Sequence, residues 1–296
     1  MSTGARVLFL VLACGVTGCL IRSEARRSLG PGFSTAFSND DDPELVGDAL
    51  PAALKTIEGL LESSPRDRAL LLAACSGFAR YAYGWLQQEA DFTEAKSLSR
   101  ATELRARARN LHLRARDYGL RGLEVDAPGL RDRLRGDPTG ALAATRKVHV
   151  PLLYWTAVAW ASAVSLHVDD SDLSADLPLA EALARRALVL DEGYESGAIH
   201  DFFITYEGGR AALGGSRAEA RRHLEQAIAR GPRAFPYVRF AESVCVAEQN
   251  RQEFLDLIGK ALAVDTSGPT PHRTADLVAQ KRARWLRGRA DELFLQ

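Results

Sequence analysis

The chain predicts an all-α fold: a tetratricopeptide-like stack of antiparallel helical hairpins, an α-solenoid. Three observations point there. Apolar residues recur at helical spacing from Asp42 to the C-terminus, and no window alternates polar and apolar residues for long without a better 3.6-residue match. The ends of several helix-like segments also resemble one another: Gly122-Leu123-Glu124-Val125-Asp126, Ala187-Leu188-Val189-Leu190-Asp191 and Ala261-Leu262-Ala263-Val264-Asp265, with a weaker copy at Ala227-Ile228-Ala229-Arg230. Ala227 precedes Ala261 by 34 residues, Ala187 precedes Ala227 by 40, and Gly122 precedes Ala187 by 65, close to two repeat periods. One hairpin cannot bury its own apolar face, so stacked hairpins share a core and leave a concave inner surface.

The N-terminal segment has a different character. Arg6 supplies a positive n-region, Val7 to Cys14 is an unbroken apolar run, and Val16-Thr17-Gly18-Cys19 reads as a lipobox. The apolar run is too short to span a bilayer as a mature helix, so residues 1–18 are expected to be a lipoprotein signal peptide, removed when Cys19 is lipidated. Acyl chains contribute about 0.8 kcal/mol per buried methylene, enough with two or more chains to hold a protein durably at a surface. Leu20 follows the cysteine, with no Asp to mark inner-membrane retention, which favours an outer-membrane anchor facing the periplasm. Residues 19–41 then form a tether, rich in Gly, Pro and Ser and ending in three acids.

A single helical domain is expected over residues 42–295. Asp42-Pro43-Glu44 supplies an N-cap, a proline in the first turn and a dipole-matched acid, ahead of Leu45, Ala49, Ala53, Ile57 and Leu60 at helical spacing. Asp137-Pro138 and Asp176-Leu177-Pro178 mark later starts. Ala180, Ala184 and Ala187, then Ala218, Ala220 and Ala227, provide small residues where helices approach closely. Lys plus Arg equals Asp plus Glu at 38 each, so no global field draws the protein to nucleic acid or anionic lipid. Hydrophobic residues make up 46%, enough for a sizeable core. Cys75 and Cys245 both fall in helix-like apolar faces, where separate buried thiols are expected rather than a bridge.

Two stretches are too apolar and aromatic for routine repeat helices: Val150 to Val168, and Cys75 to Gln88 with Phe78, Tyr81, Tyr83 and Trp85. His200 to Gly209 is a milder third. A helix apolar nearly all round is either buried on every side or lines an apolar cavity. Aromatic rings with polar tips suit both a core and a greasy cleft, and the residues alone leave the choice open. The cleft candidates are Tyr81, Trp85, Tyr154, Trp155, Trp160, Phe203 and Tyr206, acting by stacking and apolar burial, with the tyrosine hydroxyls giving orientation.

No G-x-S-x-G, P-loop, H-E-x-x-H or C-x-x-C occurs, so no enzyme activity, cofactor or metal is expected. His167 with Asp169, Asp170 and Asp172 reads as a capped, solvated loop rather than a metal site, because ligand spacing and a second histidine are missing. Glu89, Asp91, Asp201 and Glu207 read as residues that end or cap helices, with one of them orienting a polar ligand group as the alternative. Arg105, Arg107, Arg109, Arg114 and Arg116 read as a solvated face.

The runs DDPELVGDALPAALKTIEGLL, LLLAACSGFARYAYGWLQQEAD, VPLLYWTAVAWASAVSL, DFFITYEGG and QKRARWLRGRADELF resemble the TRAP transporter T-component (TatT) family, in order and over essentially the whole mature chain. That resemblance implies a periplasmic lipoprotein of tetratricopeptide-like helices, a homotrimer with an apolar cleft in each protomer. It further implies pairing with the solute-binding protein of a tripartite ATP-independent periplasmic transporter, and capture of an apolar or amphipathic organic acid. The alternative is a scaffold lipoprotein that organises an envelope complex and binds only protein.

Overall fold

The computed structural model describes residues 36–167, 169–210 and 214–295, so the signal peptide, Cys19 and most of the tether lie outside it. Among the described residues every regular element is helical and none is a strand. Helix α1 (Pro43–Ser63) begins as its sequence dictates, with the Asp42 carboxylate accepting from the backbone N–H of Glu44 and Leu45 at 3.0 Å each. Its buried stripe is Val46, Leu50, Leu54, Ile57 and Leu61, displaced from the stripe read in the sequence. Leu45 is 58% exposed. The helix turns inward the row with more branched apolar surface and leaves the Ala49–Ala53 row half-buried.

Asp67 caps α2 (Arg68–Tyr81), which runs through a π-turn (Ala82–Gln87) into α3 (Gln88–Thr93). Ser97 caps the long α4 (Leu98–Glu124), and the short α5 (Leu130–Leu134) and α6 (Pro138–Leu142) follow, the latter capped by Asp137 as its sequence suggests. Helix α7 (Val150–Ser165) is buried along most of its length. Asp170 caps α8 (Ser171–Ser174), so that carboxylate serves its own turn. Helix α9 (Leu177–Leu190) starts after Asp176, which does not cap it with its side chain; Arg135 draws that carboxylate away, at 2.6 and 2.8 Å. Helices α10 (Ala198–Gly208), α11 (Arg217–Ala229), α12 (Ala234–Phe240, continued by a π-turn over Ala241–Cys245), α13 (Arg251–Leu262), α14 (Arg273–Gly288) and α15 (Ala290–Leu293) complete the order.

Four hairpins emerge: α2 against α4, α7 against α9, α10 against α11, and α12 against α13. The four similar sequences noted above sit at the C-terminal ends of α4, α9, α11 and α13, the outer member of each hairpin. Their recurrence marks one structural position. Ala180, Ala184, Ala187, Ala220 and Ala227 are wholly buried in the seams, but Ala218 faces solvent. The inner helices α2 and α7 stack on each other, as do α10, α12 and α14. Cys75 and Cys245 are buried free thiols in two different apolar clusters.

The stack closes on itself. Lys281 of α14 lies 3.7 Å from Glu44 of α1, Thr274 donates to the Asp40 carbonyl at 2.8 Å, and Arg273 pairs with Asp41 at 3.1 Å. Beside this seam, Arg282 of α14 binds Asp91 at 2.7 Å and Glu242 at 2.6 Å, while Asp91 also holds Arg105 at 2.8 Å. The Phe92 and Trp285 rings meet at 5.3 Å. Charge and aromatic contact thus join the first hairpin to the last long helix, and the inner helices surround a central space.

Candidate functional site

That space is a cavity of about 660 Å³ walled by α1, the α2 π-turn, α7, α10, α12 and the start of α14. Val46, Leu50, Leu54 and Ile57 form one apolar wall. Trp85 forms the next. The π-turn inserts an extra residue and so re-aims Trp85, as such turns do at functional sites. Its indole N–H donates to the Pro43 carbonyl at 2.8 Å, and its ring seats on Gly47, where a Cβ would lie 2.2 Å from Nε1. Only glycine at 47 leaves room for this seat.

Helix α7 offers a stripe running from Tyr154 and Trp155 through Val158 and Ala161 to Ser165. Tyr154 meets Trp155 at 5.0 Å and Tyr194 at 5.5 Å, both edge-on. Arg80 lies over the Trp155 ring at 4.4 Å and pairs with Glu195 at 3.3 Å. Glu195 sits at φ 43 and Ser196 at φ 56, ahead of Gly197 at φ 83. Two consecutive non-glycine residues in the left-handed region cost of order 1–3 kcal/mol each and persist only where surroundings hold them. Here each is used: Glu195 meets Arg80, the Ser196 carbonyl accepts from Arg233 Nε at 3.2 Å, and Ser196 Oγ lies 3.1 Å from His272 Nε2.

A buried ion pair crosses the floor. Arg233 is 5% exposed and binds both oxygens of Asp201, which is 6% exposed, at 2.5 and 3.1 Å. Burial pushes the Asp201 carboxyl up against the opposing pull of Arg233. Asp276 accepts from the Ala234 N–H at 2.8 Å, and burial raises its carboxyl to about 6. Burial and the nearby Arg233 hold His272 below the usual imidazole range. Arg239 lies 4.3 Å from the Tyr83 ring centre and 4.7 Å from that of Phe235, both in the wall.

Of the seven aromatic candidates, Trp85, Tyr154, Trp155 and Tyr206 border the cavity, and Tyr81, Trp160 and Phe203 do not. Tyr81 stands behind Trp85, the rings stacked at 6.2 Å, because the π-turn breaks the i, i+4 register that would align them on one face. Trp160 projects from the opposite side of α7 beneath Arg116, at 5.2 Å. Phe203 is wholly buried, stacked on His223 of α11 at 4.8 Å. The Tyr206 hydroxyl is committed to Glu181, so it does not supply the expected orientation, whereas the Tyr154 hydroxyl makes no hydrogen bond to a described residue.

The acids read as helix ends also differ. Asp201 is the buried partner of Arg233, Asp91 joins the closing network, and Glu207 accepts from the Ser216 N–H at 3.0 Å. Of the arginine run on α4, Arg105 belongs to that same network, and Arg116 covers Trp160. Arg80, Arg233 and Arg239 stand outside the residues expected at the site. The repeated pairing of arginine with a nearby aromatic, as in Gly77-Phe78-Ala79-Arg80-Tyr81 and Phe235-Pro236-Tyr237-Val238-Arg239-Phe240, was the available signal. The site offers stacking surfaces, apolar walls and fixed charges. Among the described residues no group of three or more His, Cys, Asp or Glu side chains is placed to hold a metal ion.

Residues 39–294 match the family described as TRAP transporter T-component. An uncharacterized protein of Treponema pallidum (strain Nichols) is 29% identical over 270 residues, covering 89% of this chain and 84% of the relative.

Proposed function

Because the chain belongs to the TRAP transporter T-component family, we propose that its ring of helices is a binding shell, holding an apolar or amphipathic solute in the central cavity as an accessory of TRAP-type transport. The observation that carries this reading is the cavity. Its volume of about 660 Å³ falls in the range of small-molecule sites, and its walls are mostly apolar with a few fixed polar groups. Each methylene moved there from water contributes about 0.8 kcal/mol, so a medium-length chain binds usefully without any covalent step. A protein-only scaffold has weaker support, since Trp85, Trp155 and Tyr206 face inward.

The partner in this reading is the solute-binding protein of the same transport system. The protein works at the cell envelope, moored through Cys19 and facing the periplasm, in a homotrimer. No helix among the described residues is long and apolar enough to cross a membrane, which suits attachment by acyl chains. Purifying the lipoprotein from its own envelope and identifying what accompanies it by mass spectrometry tests the reading. A solute-binding protein together with an apolar acid is expected; unrelated envelope proteins with neither would defeat it. Cys19→Ser is expected to leave the precursor unprocessed, and light scattering on the purified protein tests the trimer.

A further inference from the structure

Four arginines line the cavity, against three carboxylates. Arg80 has Glu195, and Arg233 has Asp201. Arg239 is different, because its guanidinium makes no hydrogen bond or ion pair to any described residue, although it lies in the wall against the Tyr83 and Phe235 rings. Those rings, 5.5 Å apart and steeply inclined to each other, flank the guanidinium on one side. Its N–H groups have no partner among the described residues. A guanidinium presents five donors in one plane, a fork that matches a carboxylate two bonds at a time.

The nearby acids are already engaged. Asp201 is gripped by Arg233, Glu242 by Arg282 at 2.6 Å, and Asp91 by both Arg282 and Arg105. Asp276 accepts the Ala234 N–H. Arg239 is half-buried, and the fold gives this cation on a largely apolar wall no counter-ion. A bound anion with an apolar tail supplies one, while its tail leaves water in the same step.

We propose that Arg239 is the head-group residue of the cavity: it takes the carboxylate of an anionic amphiphile, while the tail lies against the apolar walls. This rests on the reading of the cavity as a solute site, which it deepens by assigning the residue that reads the acid's charge. Tyr83 and Phe235 are positioning residues, holding the guanidinium in place by contact with their rings.

The test uses N-phenyl-1-naphthylamine, a neutral dye that brightens in apolar surroundings, bound to the folded full-length domain and displaced by dodecanoate, dodecan-1-ol or dodecylamine. In the wild type, dodecanoate displaces the dye at a concentration at least about 10-fold lower than dodecanol, the scale of a charge-assisted hydrogen bond, with the amine weakest. Arg239→Gln brings acid and alcohol to within about 2-fold while leaving alcohol competition unchanged; Arg239→Lys keeps part of the preference. If Arg239→Gln binds dodecanoate as the wild type does, or if the wild type never prefers the acid, the assignment to Arg239 is wrong while the cavity reading stands. If the folded wild type takes up no dye and no amphiphile raises its melting temperature, both readings fall. Should the glutamine variant not fold, the lysine variant and the wild-type preference decide the matter.

Discussion

Replacing Arg233 with methionine removes a cation of similar length from a site where both partners are more than nine-tenths buried. Three hydrogen bonds go with it: two to Asp201, at 2.5 and 3.1 Å, and one to the Ser196 carbonyl at 3.2 Å. The Asp201 carboxylate is then left in a poorly solvated place with no counter-charge. Breaking one side of such a pair costs about 3–5 kcal/mol, more than the pair itself is worth against apolar replacements. For a chain of this size that corresponds to a melting temperature lower by roughly 6–20 °C. The loss depends on pH with a defined sign. Burial already raises Asp201 in the presence of Arg233, and losing the cation raises it further, so the deficit is full at pH 8 and shrinks as acid protonates the carboxyl. Thermal unfolding of wild type, Arg233→Met, Asp201→Asn and the double variant between pH 4 and pH 8 measures both effects. The double variant is expected to be more stable than Arg233→Met alone, with a coupling of about 0.5–3 kcal/mol. A deficit below about 1 kcal/mol, unchanged across that pH range, would refute the argument that this pair is held by its mutual charge.

Other perturbations have outcomes that follow from the same structure. Gly47→Ala places a methyl group 2.2 Å from the Trp85 indole nitrogen, so it is expected to expel the ring, break its bond to Pro43 and cost about 1–3 kcal/mol, read by denaturant unfolding and loss of dye uptake. Asp276→Asn keeps an acceptor for the Ala234 N–H and removes a carboxyl raised to about 6; because that acid weakens the fold as pH rises from about 4 to about 6, the variant is expected to be more stable than wild type above pH 6 and equal to it below pH 4 in a melting-temperature profile. His112 is wholly buried, neither ring nitrogen has a hydrogen-bond partner among the described residues, and burial with Arg239 nearby lowers it to about 3. His112→Leu is therefore expected to gain about 1 kcal/mol at neutral pH, and the advantage grows as pH falls from 6.5 toward 3, since the wild type there loses stability to protonation of its unfolded chain.

Local chemistry was readable from the chain. Asp42-Pro43 and Asp137-Pro138 begin helices where they should, because a cap acts within one turn of itself. The recurring Ala-Leu-x-x-Asp ends marked the outer helices, and the aromatic run of α7 marked the helix buried on most sides. What escaped was set by distance or by register. Asp91 and Arg282 meet across 191 positions, a separation no local pattern reports, so closure of the stack was not foreseen. The π-turn at Ala82–Gln87 shifted the inward face from Tyr81 to Tyr83, Gly84 and Trp85, a slip invisible to a 3.6-residue period. Asp176 and Asp201 carry the residue type of a cap, but arginines at the ends of other helices claim them instead. The lone guanidinium of Arg239 is defined by partners it lacks, which only a folded neighbourhood reveals.

The junction of α1 with α14 also governs whether the chamber is closed. One wall is contributed by the first long helix and another by the last, so the hairpins between them form a trough that this junction completes. Shortening the chain ahead of Arg273 is therefore expected to leave a gutter instead of a vessel.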